Sequence, residues 1–473
     1  MKRGKSVLKC ICFIAVFVVL FVYVQEVLRD KWVDGEYNPS AKIKGFYAEE
    51  ENSLDVIFFG SSQLYADIAP AVLFKEYGIV SYDFCANEQP LWITYFYIKE
   101  ALKHQNPDVV VVDVFTVYGE DYEAEGINHF SLDDLPMSLN KIEAIQVAVP
   151  AGERYSYYFP LAKYHNTWTD LYERKAELAF YHEKDPYKGY SPFLFAGDYN
   201  DAAKPEVVAQ TESEPIPERA LLWLNNIITL CEEEGVELVL IKTPNGHAER
   251  QKLYNSVAVV AEETGTPFFN MNVLLDGQAH VNVIQAEKVS QMMGEYLVTH
   301  YDLEDHREDP AYASWHEDAK LFYRQKAKCE LISAKTFEEY IACLQDAGYV
   351  VCISVKNSGN VLFTTEDVQY LNNILGTNCS LDQVTEEGYA VVLDGGKVVA
   401  EGAQIDTTVE GLNLNLTSPA GGVGDMPASV YINGTDFSMD IDGFNVAVYD
   451  KLLGEVFEMV AFDVNNEMTL LRK

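Results

Sequence analysis

Short apolar runs alternate with segments of helical periodicity over much of the chain between residues 54 and 300. The runs are rich in β-branched and aromatic residues, as buried strands are. Strands that alternate with helices in this way form a mainly parallel sheet covered on both faces. The sequence therefore predicts an α/β domain of three layers. The predicted strands are residues 56–59, 80–84, 109–114, 237–241 and 268–269.

The helical segments between these strands carry start and stop signals. Pro70 lies in the first turn of one predicted helix and Gly78 follows its end, where these residue types are favoured. Gly235 and Gly265 end two other helices in the same way. The stretch at about 116–217 breaks the alternation, so we predict an insertion there. The predicted helices are residues 70–77, 92–104, 219–234, 250–263 and 283–298.

The beginning of the chain is basic and then strongly apolar. Residues 10–24 are fifteen consecutive apolar side chains, preceded by four basic ones. Residues 7–28 are long enough to cross a bilayer, which takes roughly 20 residues. Basic residues before such a helix stay in the cytoplasm, so we predict a single-pass anchor in the cell membrane with the bulk of the chain extracytoplasmic. A cleaved signal peptide is the alternative, although residues 21–26 offer no small-residue cleavage site.

Acidic side chains are in large excess over basic ones. The 473 residues include 73 acidic and 35 basic side chains, which gives a formal charge of −38. Because such a surface repels phosphate backbones, we expect no nucleic-acid partner. The eight cysteines are too scattered for a disulfide framework, and no Cys/His spacing typical of a metal site is present. We therefore expect no metal and no cofactor.

The composition changes after about residue 302. Residues 306–323 are polar and charged, which is typical of a linker. Further along, two helical segments precede a series of β-like runs, and Asn433-Gly434 is a strong hairpin signal. These features predict a separate, mostly β, sandwich-like domain. The predicted organisation is a basic tail and transmembrane anchor at 1–36, an α/β domain at 37–302, a linker at 303–330 and a β domain at 331–473.

Two predicted loops of the α/β domain carry residues that are suited to acyl transfer. Ser62 follows the first strand on a tight turn into a helix, where a serine hydroxyl can act as a nucleophile. Asp276 and His280 follow the last strand. A nucleophilic serine needs an imidazole to take its proton and a carboxylate to orient that imidazole. The simpler alternative is that these residues are turn, capping and surface residues.

A series of short blocks lies along the predicted α/β domain. The blocks are Asn-Ser-Leu-Asp-Val-Ile-Phe-Phe-Gly-Ser-Ser at 52–62, Gln-Pro at 89–90, Pro-Asp-Val-Val-Val-Val-Asp at 107–113, Leu-Val-Leu-Ile-Lys-Thr-Pro at 238–244 and His-Val-Asn at 280–282. Together they resemble the SGNH/GDSL hydrolases, and most of all the membrane-anchored group near DltD, the D-alanyl-lipoteichoic acid biosynthesis protein of Gram-positive bacteria. The resemblance implies a flavodoxin-like sheet and a Ser-His-Asp triad for acyl esterase or O-acyltransferase chemistry, often on carbohydrates.

The resemblance also implies roles for individual residues. Ser62 matches the nucleophile, His280 the base and Asp276 the orienting acid. The Ser62 N–H and groups near Asn87 match the oxyanion donors.

A further segment, Tyr-His-Asn-Thr-Trp at 164–168, is similar to one in the membrane-anchored relatives. The resemblance implies that His165 and Trp168 line the acyl-acceptor site, with Trp168 as a stacking surface for a sugar. Packing within the insertion is the alternative.

Three features depart from the family pattern. Three residues separate Asp276 from His280 where the family has two, and Gln285 and Glu88 stand where glycines are expected. A Glu88 carboxylate beside a developing oxyanion would repel it by roughly 1–4 kcal/mol, depending on the local dielectric. A catalytically degenerate surface adaptor or glycan-binding protein is therefore the second hypothesis.

The predicted β domain has a resemblance of its own. Its blocks are Glu-Glu-Tyr-Ile-Ala-Cys-Leu at 338–344, Ala-Ser-Val-Tyr-Ile-Asn-Gly at 428–434, Gly-Phe-Asn-Val-Ala-Val-Tyr-Asp at 443–450 and Val-Ala-Phe-Asp at 460–463. These blocks resemble the ILEI/PANDER domain. The resemblance implies a compact β-sandwich with lectin-like or signalling roles, and glycan binding in some members.

The predicted anchor, the hydrolase-like blocks and the glycan-associated domain lead to one functional hypothesis. We expect a membrane-tethered, extracytoplasmic acyl esterase or O-acyltransferase that acts on cell-surface polysaccharide or another glycan. Membrane lipid would surround the N-terminal helix, and an integral membrane protein that donates the acyl group would be a further partner.

Overall fold

The computed structural model describes most of the chain. The described residues are 2–31, 39–119, 125–170, 177–180, 183–196, 212–245, 250–271, 280–357, 363–419 and 427–473. The chain divides into two compact units, one of Met1–Phe193 and Asp198–Phe322 and the other of Leu194–Gly197 and Tyr323–Lys473.

The first unit combines a five-stranded sheet with many helices. Its strands are β1 (Val56–Phe59), β2 (Ser81–Asp83), β3 (Val109–Asp113), β4 (Glu237–Lys242) and β5 (Phe268–Asn270). Its α-helices are α1 (Lys2–Leu28), α2 (Pro39–Ala48), α3 (Ser62–Asp67), α4 (Pro70–Val72), α5 (Leu91–Ala101), α6 (Glu125–Leu132), α7 (Leu139–Ala148), α8 (Arg154–Tyr158), α9 (Leu161–Tyr164), α10 (Glu218–Glu234), α11 (Gln251–Thr264) and α12 (Val283–His300). Short 3-10 helices lie at Phe115–Tyr118, His165–Asp170 and Pro310–Tyr312.

The five strands are all parallel and lie in the order β2-β1-β3-β4-β5. Every residue of β1 and β3 is buried, as expected for strands covered on both faces. The strand order reverses between β1 and β3, because β2 lies on one side of β1 and the later strands lie on the other. Open α/β sheets bind ligands outside the carboxyl ends of the strands at such a point. The residues that follow β1 and β3 are therefore the best placed to contact a ligand.

The α/β class with a parallel sheet is confirmed, and one predicted helix differs in detail. Residues 70–77 form α4 and then a π-helical turn at Leu73–Tyr77, which ends at Gly78 with φ of 78°. The left-handed backbone at this position suits a glycine. A side chain there would also collide with Asp305, since its Cβ would lie 2.9 Å from the Asp305 Cα.

Helix α1 is long and apolar enough to cross a membrane. Its segment Val7–Leu28 has a mean hydropathy of 2.9 and an exposed apolar window. Length and composition give this helix the properties of a membrane anchor or of a signal sequence. Its last turn differs, because Gln25 and Val27 are buried against the folded unit.

The segment predicted as a linker, 303–330, contains most of helix α13 (Ala313–Ser333). This helix buries apolar side chains within a polar sequence. Trp315, Ala319, Phe322 and Cys329 follow one another at helical spacing, and all four are buried. Charged residues lie between them, and two of these, Arg324 and Lys328, are themselves buried, which explains why the sequence resembles a linker.

The second unit is mostly antiparallel β. Its strands are β6 (Tyr349–Lys356), β7 (Ala390–Asp394), β8 (Lys397–Gly402), β9 (Gln404–Val409), β10 (Leu412–Thr417), β11 (Ser429–Ile432), β12 (Thr435–Asp436), β13 (Gly443–Asp450), β14 (Glu455–Asp463) and β15 (Thr469–Arg472). They form a six-stranded sheet, β15-β14-β13-β6-β7-β8, and a four-stranded sheet, β12-β11-β10-β9. Helices α14 (Phe337–Cys343) and α15 (Thr365–Leu375) complete the unit.

Strand β6 lies at the centre of this packing and is buried on both faces. Val351 and Ile353 belong to the core that includes α14 and α15, whereas Val350 and Cys352 share a second core with Leu414 of β10. The alternation follows from the pleat of a strand, which points successive side chains to opposite faces. Helices, the six-stranded sheet and the four-stranded sheet therefore form three successive layers.

Candidate functional site

Ser62 is the first residue of α3, and the neighbouring serine caps that helix. The hydroxyl oxygen of Ser61 accepts a hydrogen bond from the N–H of Gln63 at 3.4 Å, and Ser61 is buried. Ser62 is partly exposed. Of the two serines, Ser61 thus satisfies a free N–H of the helix start, and Ser62 is the one that solvent or a ligand can reach.

A glycine permits the tight turn before these serines. A Cβ on Gly60 would lie 3.0 Å from the Asp113 Cβ and 3.2 Å from the Leu64 Cβ. Both distances are shorter than ordinary van der Waals contact, so the end of β1 approaches the end of β3 this closely only because residue 60 has no side chain. The turn that presents Ser62 is therefore set against the carboxyl end of the neighbouring strand.

Buried ionisable side chains meet at the same edge of the sheet, and our sequence analysis did not single them out. Asp113 ends β3, Lys242 ends β4, and Asp67 ends α3. Asp113 accepts a hydrogen bond from the N–H of Thr243 at 3.5 Å. The signal for this cluster was an acid and a lysine directly after two β-branched runs.

Burial dominates the electrostatics of this cluster. It raises the pKa of Asp113 to about 7, although backbone N–H groups and Lys242 act in the opposite direction. Burial and then the charge of Asp113 raise the pKa of Asp67 well above its usual value. Burial also lowers the pKa of Lys242 to about 8. At neutral pH these shifts leave Asp67 neutral, Asp113 partly ionised and Lys242 still mostly charged, which limits the cost of burying the cluster.

The loop of His280 packs close to α3. The backbone N–H of Val281 lies near the Asp67 carboxyl group at the end of α3 and opposes the rise of its pKa. The N–H of Ser191 donates to the carbonyl oxygen of Tyr65 at 2.8 Å, and the N–H of Val283 donates to the carbonyl oxygen of Phe193 at 3.1 Å. Residues 191–193 thus connect α3 to the start of α12, although Ser62 and Val283 are far apart in sequence.

His280 lies in an apolar environment. Its ring centroid is 5.0 Å from that of Phe193, and burial lowers the pKa of the imidazole to about 4. Its Nδ1 is buried, and within the described residues no group bonds to it. The described residues also show no hydrogen bond between the side chains of Ser62 and His280. Asp276, predicted to orient the ring, lies outside the described residues, so its role stays a prediction.

Asn87 follows β2 and contacts α3 directly. Its Oδ1 accepts a hydrogen bond from the hydroxyl of Tyr65 at 3.0 Å. An amide side chain has two N–H donors on its nitrogen, so this bond leaves the donors of Asn87 for another acceptor. Glu88 is exposed and adopts a left-handed backbone with φ of 47°. Water around an exposed carboxylate weakens its field, so repulsion of an oxyanion would fall at the low end of the expected range.

His165 and Trp168 lie in a different environment. Both are exposed on the 3-10 helix His165–Asp170, and the Thr167 hydroxyl between them donates to the carbonyl oxygen of Leu28. The segment therefore lies beside the end of α1. Across the described residues, no hydrogen bond joins His165 or Trp168 to Ser62, and their predicted role at the acyl-acceptor site stays a prediction.

The described side chains form neither a metal-binding cluster nor a disulfide bond. No group of three or more His, Cys, Asp or Glu side chains that could hold a metal ion occurs in the described part of the chain. The eight cysteines all carry thiol groups and none is in a disulfide bond.

Comparisons with known proteins identify one distant structural neighbour. No protein-family model matches the chain, and no curated protein matches it either. A provisionally named acylhydrolase from Bacteroides fragilis aligns with 56% of this chain and 98% of its own, with 9% sequence identity and a TM-score of 0.27. Chains that superpose this loosely need not share a fold or an activity, so the assignment of this chain depends on its own site.

Proposed function

We propose that this protein is a membrane-tethered, extracytoplasmic SGNH-type acyl esterase or O-acyltransferase that acts on cell-surface carbohydrate. The supporting observation is the placement of Ser62. It is a partly exposed serine at the carboxyl end of β1, next to the point where the strand order reverses. The strand order is also that of the flavodoxin-like sheets that the resemblance implies.

The proposed reaction begins at the Ser62 hydroxyl. Its oxygen attacks the carbonyl carbon of an ester, while His280 accepts the proton and later returns it to the leaving alcohol. The negative charge that develops on the carbonyl oxygen is stabilised by the Ser62 N–H and by the side-chain N–H donors of Asn87. An acyl-enzyme forms on Ser62. Water or a glycan hydroxyl then attacks this intermediate, which gives hydrolysis or acyl transfer.

The environment of His280 sets a requirement for this scheme. An imidazole with a pKa of about 4 is neutral at neutral pH and so has a free lone pair, but it is a weak base. A carboxylate that accepts the Nδ1 proton would raise the pKa and fix the tautomer. We propose that Asp276 supplies this carboxylate.

The remaining parts of the chain would bring the site to its substrate. We propose that α1 is an uncleaved anchor with a cytoplasmic amino terminus, and that the second unit is an ILEI/PANDER-like domain that binds glycan. Tethering and glycan binding both raise the effective concentration of substrate without a new contact at the catalytic serine. An integral membrane protein would donate the acyl group in the transferase variant of this proposal.

A catalytically degenerate adaptor is the second candidate, and the environment of His280 favours it. Nδ1 of His280 is buried with no hydrogen-bond acceptor in the described residues. In that case the unit would retain the fold and bind glycan without turning over an ester.

Labelling with a fluorophosphonate probe separates the two candidates. We expect the full-length chain to be labelled at Ser62 and Ser62→Ala to lose both the label and p-nitrophenyl acetate hydrolysis, by roughly 10³-fold or more. Ser256→Ala is the matched control, because Ser256 is also partly exposed and its hydroxyl bonds only main-chain carbonyls. Equal turnover by Ser62→Ala and the wild type would refute the proposed nucleophile. Absence of labelling together with retained glycan-array binding would establish the adaptor.

A further inference from the structure

The end of α1 is built into the folded unit with no spacer. Arg29 follows the helix, is buried, and bonds to Asp134 at 2.7 Å and to Glu26 at 2.9 Å. Asp134 also accepts a hydrogen bond from the Ser40 hydroxyl at 2.6 Å. Although burial opposes it, the charges of Arg29 and Lys44 hold the pKa of Asp134 below its ordinary value. The apolar helix is therefore attached to the insertion through a buried, ionised contact.

The insertion also contacts α1 at a point closer to the amino terminus than this buried end. The rings of Tyr23 and Phe180 stack with centroids 5.2 Å apart, and both side chains are about half exposed. Tyr23 precedes Arg29 by six residues, which is about 9 Å along a helix axis. The insertion thus reaches back along the apolar helix to a level that would lie at the edge of a bilayer.

Large apolar side chains are exposed along the insertion. Four of the five exposed aromatic side chains in the described residues outside α1 belong to residues 155–180. Two further exposed apolar side chains lie three and five residues after Asp134, the partner of Arg29. We call these six residues the insertion face. They are Met137, Leu139, Tyr155, Phe159, Trp168 and Phe180.

Four of the six residues of the insertion face are connected to α1 through short series of contacts. Phe180 stacks on Tyr23, and Trp168 follows Thr167, whose hydroxyl bonds to Leu28. Tyr155 lies on α8 and Phe159 follows it; α8 contacts α9, which in turn contacts α1. At these four residues the insertion face adjoins the helix that would span the membrane.

We propose that the insertion face lies in the interfacial region of the bilayer, so that the first unit rests on the membrane surface. This inference rests on the proposed role of α1 as an anchor. Tyr and Trp side chains favour the membrane interface, where an apolar ring and a polar edge are both solvated. In water, by contrast, exposed apolar groups of this kind would promote aggregation. Because the chain carries a charge of −38, lipids with neutral headgroups are the expected partner.

The test places fluorophores on the insertion face of the full-length chain. Cys10 and Cys12 are first replaced by alanine, and an environment-sensitive dye is attached to Leu139→Cys or Trp168→Cys. These two residues are 79% and 67% exposed. Leu222→Cys is the matched control, because Leu222 is 56% exposed and lies on α10. Each chain is reconstituted in phosphatidylcholine vesicles, and the signal of the labelled parent is subtracted.

We expect blue-shifted emission at positions 139 and 168, together with quenching when the lipid carries brominated acyl chains. The dye at position 222 should show neither effect. Water-like emission at both positions in chains that float with the vesicles would overturn the interfacial position while leaving the anchor in place. Failure of the chains to float would overturn both the anchor and this inference. Quenching that depends on protein concentration and not on brominated lipid would show that the insertion face contacts a second copy of the chain. This result would also overturn the inference.

Discussion

The proposed chemistry depends most directly on the protonation state of His280. Burial lowers the pKa of this imidazole from 6.5 to about 4. One pKa unit corresponds to about 1.4 kcal/mol, so burial disfavours the charged ring by roughly 3 kcal/mol. We therefore predict that His280 stays mostly neutral down to about pH 5.

This shift also links protonation to the stability of the first unit. The folded-state pKa lies below that of the unfolded chain, so the unfolded chain binds a proton first as the pH falls. The stabilising contribution is therefore complete above pH 6.5 and is lost as the pH falls from 6.5 toward 4. His280→Gln, which keeps a neutral polar side chain, should remove this part of the pH dependence.

Nuclear magnetic resonance of histidine rings tests the prediction at the residue itself. The full-length chain is labelled with ¹³C at Cε1 of histidine and titrated in micelles from about pH 3.5 to about pH 8. The signal that disappears in His280→Gln is assigned to His280, and His165→Gln, which removes an exposed ring, is the matched control. We expect a midpoint of about 4 for the His280 signal in Asp276→Asn, where burial acts without a carboxylate at Nδ1. The wild-type midpoint should be higher, because the proposed Asp276 carboxylate would stabilise the charged ring.

In Asp276→Asn, a midpoint at 6.5 or above would refute the argument from burial. Equal midpoints in Asp276→Asn and the wild type would remove Asp276 as the partner of the ring. The acid limb of Ser62-dependent ester hydrolysis should follow the midpoint of the wild type, because kcat/KM reports the pKa of the essential base in the free enzyme. A rate that falls at a different pH would remove His280 as that base.

Three further substitutions test the local structure by thermal and denaturant unfolding. Gly60→Ala should destabilise the first unit by about 1–3 kcal/mol, because the new Cβ would crowd Asp113; unchanged stability would show that the two strand ends are not in close contact. Ser61→Ala should lower the free energy of unfolding by about 0.5–2 kcal/mol, because the cap of α3 is lost, while Ser62 should stay reactive toward a fluorophosphonate. Loss of that reactivity in a folded chain would contradict the assignment of a capping role to Ser61 and a nucleophilic role to Ser62. Asp134→Asn should lower the free energy of unfolding by about 3–5 kcal/mol, because Arg29 would then be buried beside a neutral side chain. Limited proteolysis should cut this variant near the insertion. Protease resistance equal to that of the wild type would contradict the proposed role of the Arg29–Asp134 contact.

Local patterns were sufficient to predict the strands and the class of the first unit. The runs at 56–59, 109–114 and 237–241 are mainly apolar and contain β-branched residues, and the corresponding strands β1, β3 and β4 are buried except for Glu237 at the start of β4. Such runs report burial on both faces, which is what a parallel sheet requires. They do not report strand order, because order depends on which faces of the helices pack together.

Helix α13 shows where a local pattern is too weak. Its buried apolar side chains, among them Trp315, Phe322 and Leu331, are interspersed with charged residues, of which Arg324 and Lys328 are buried as well. Averaged over a window, such a segment reads as solvated, because charged residues lower the mean hydropathy whether or not they are buried. The buried positions are apparent only once the contacts of the helix are known.

The candidate site required information that no single segment contains. Ser62 and His280 can be nominated from their positions after predicted strands, but what brings their loops together is residues 191–193, which lie in the insertion. The N–H of Ser191 bonds to Tyr65, the N–H of Val283 bonds to Phe193, and the Phe193 ring packs on His280. Two of these contacts are main-chain hydrogen bonds, and one is a contact between rings. Because main-chain bonds depend little on residue type, the composition of residues 191–193 does not predict them. A substitution that changed the backbone there would therefore separate the proposed nucleophile from its base while leaving both residues, and every motif that suggested them, intact.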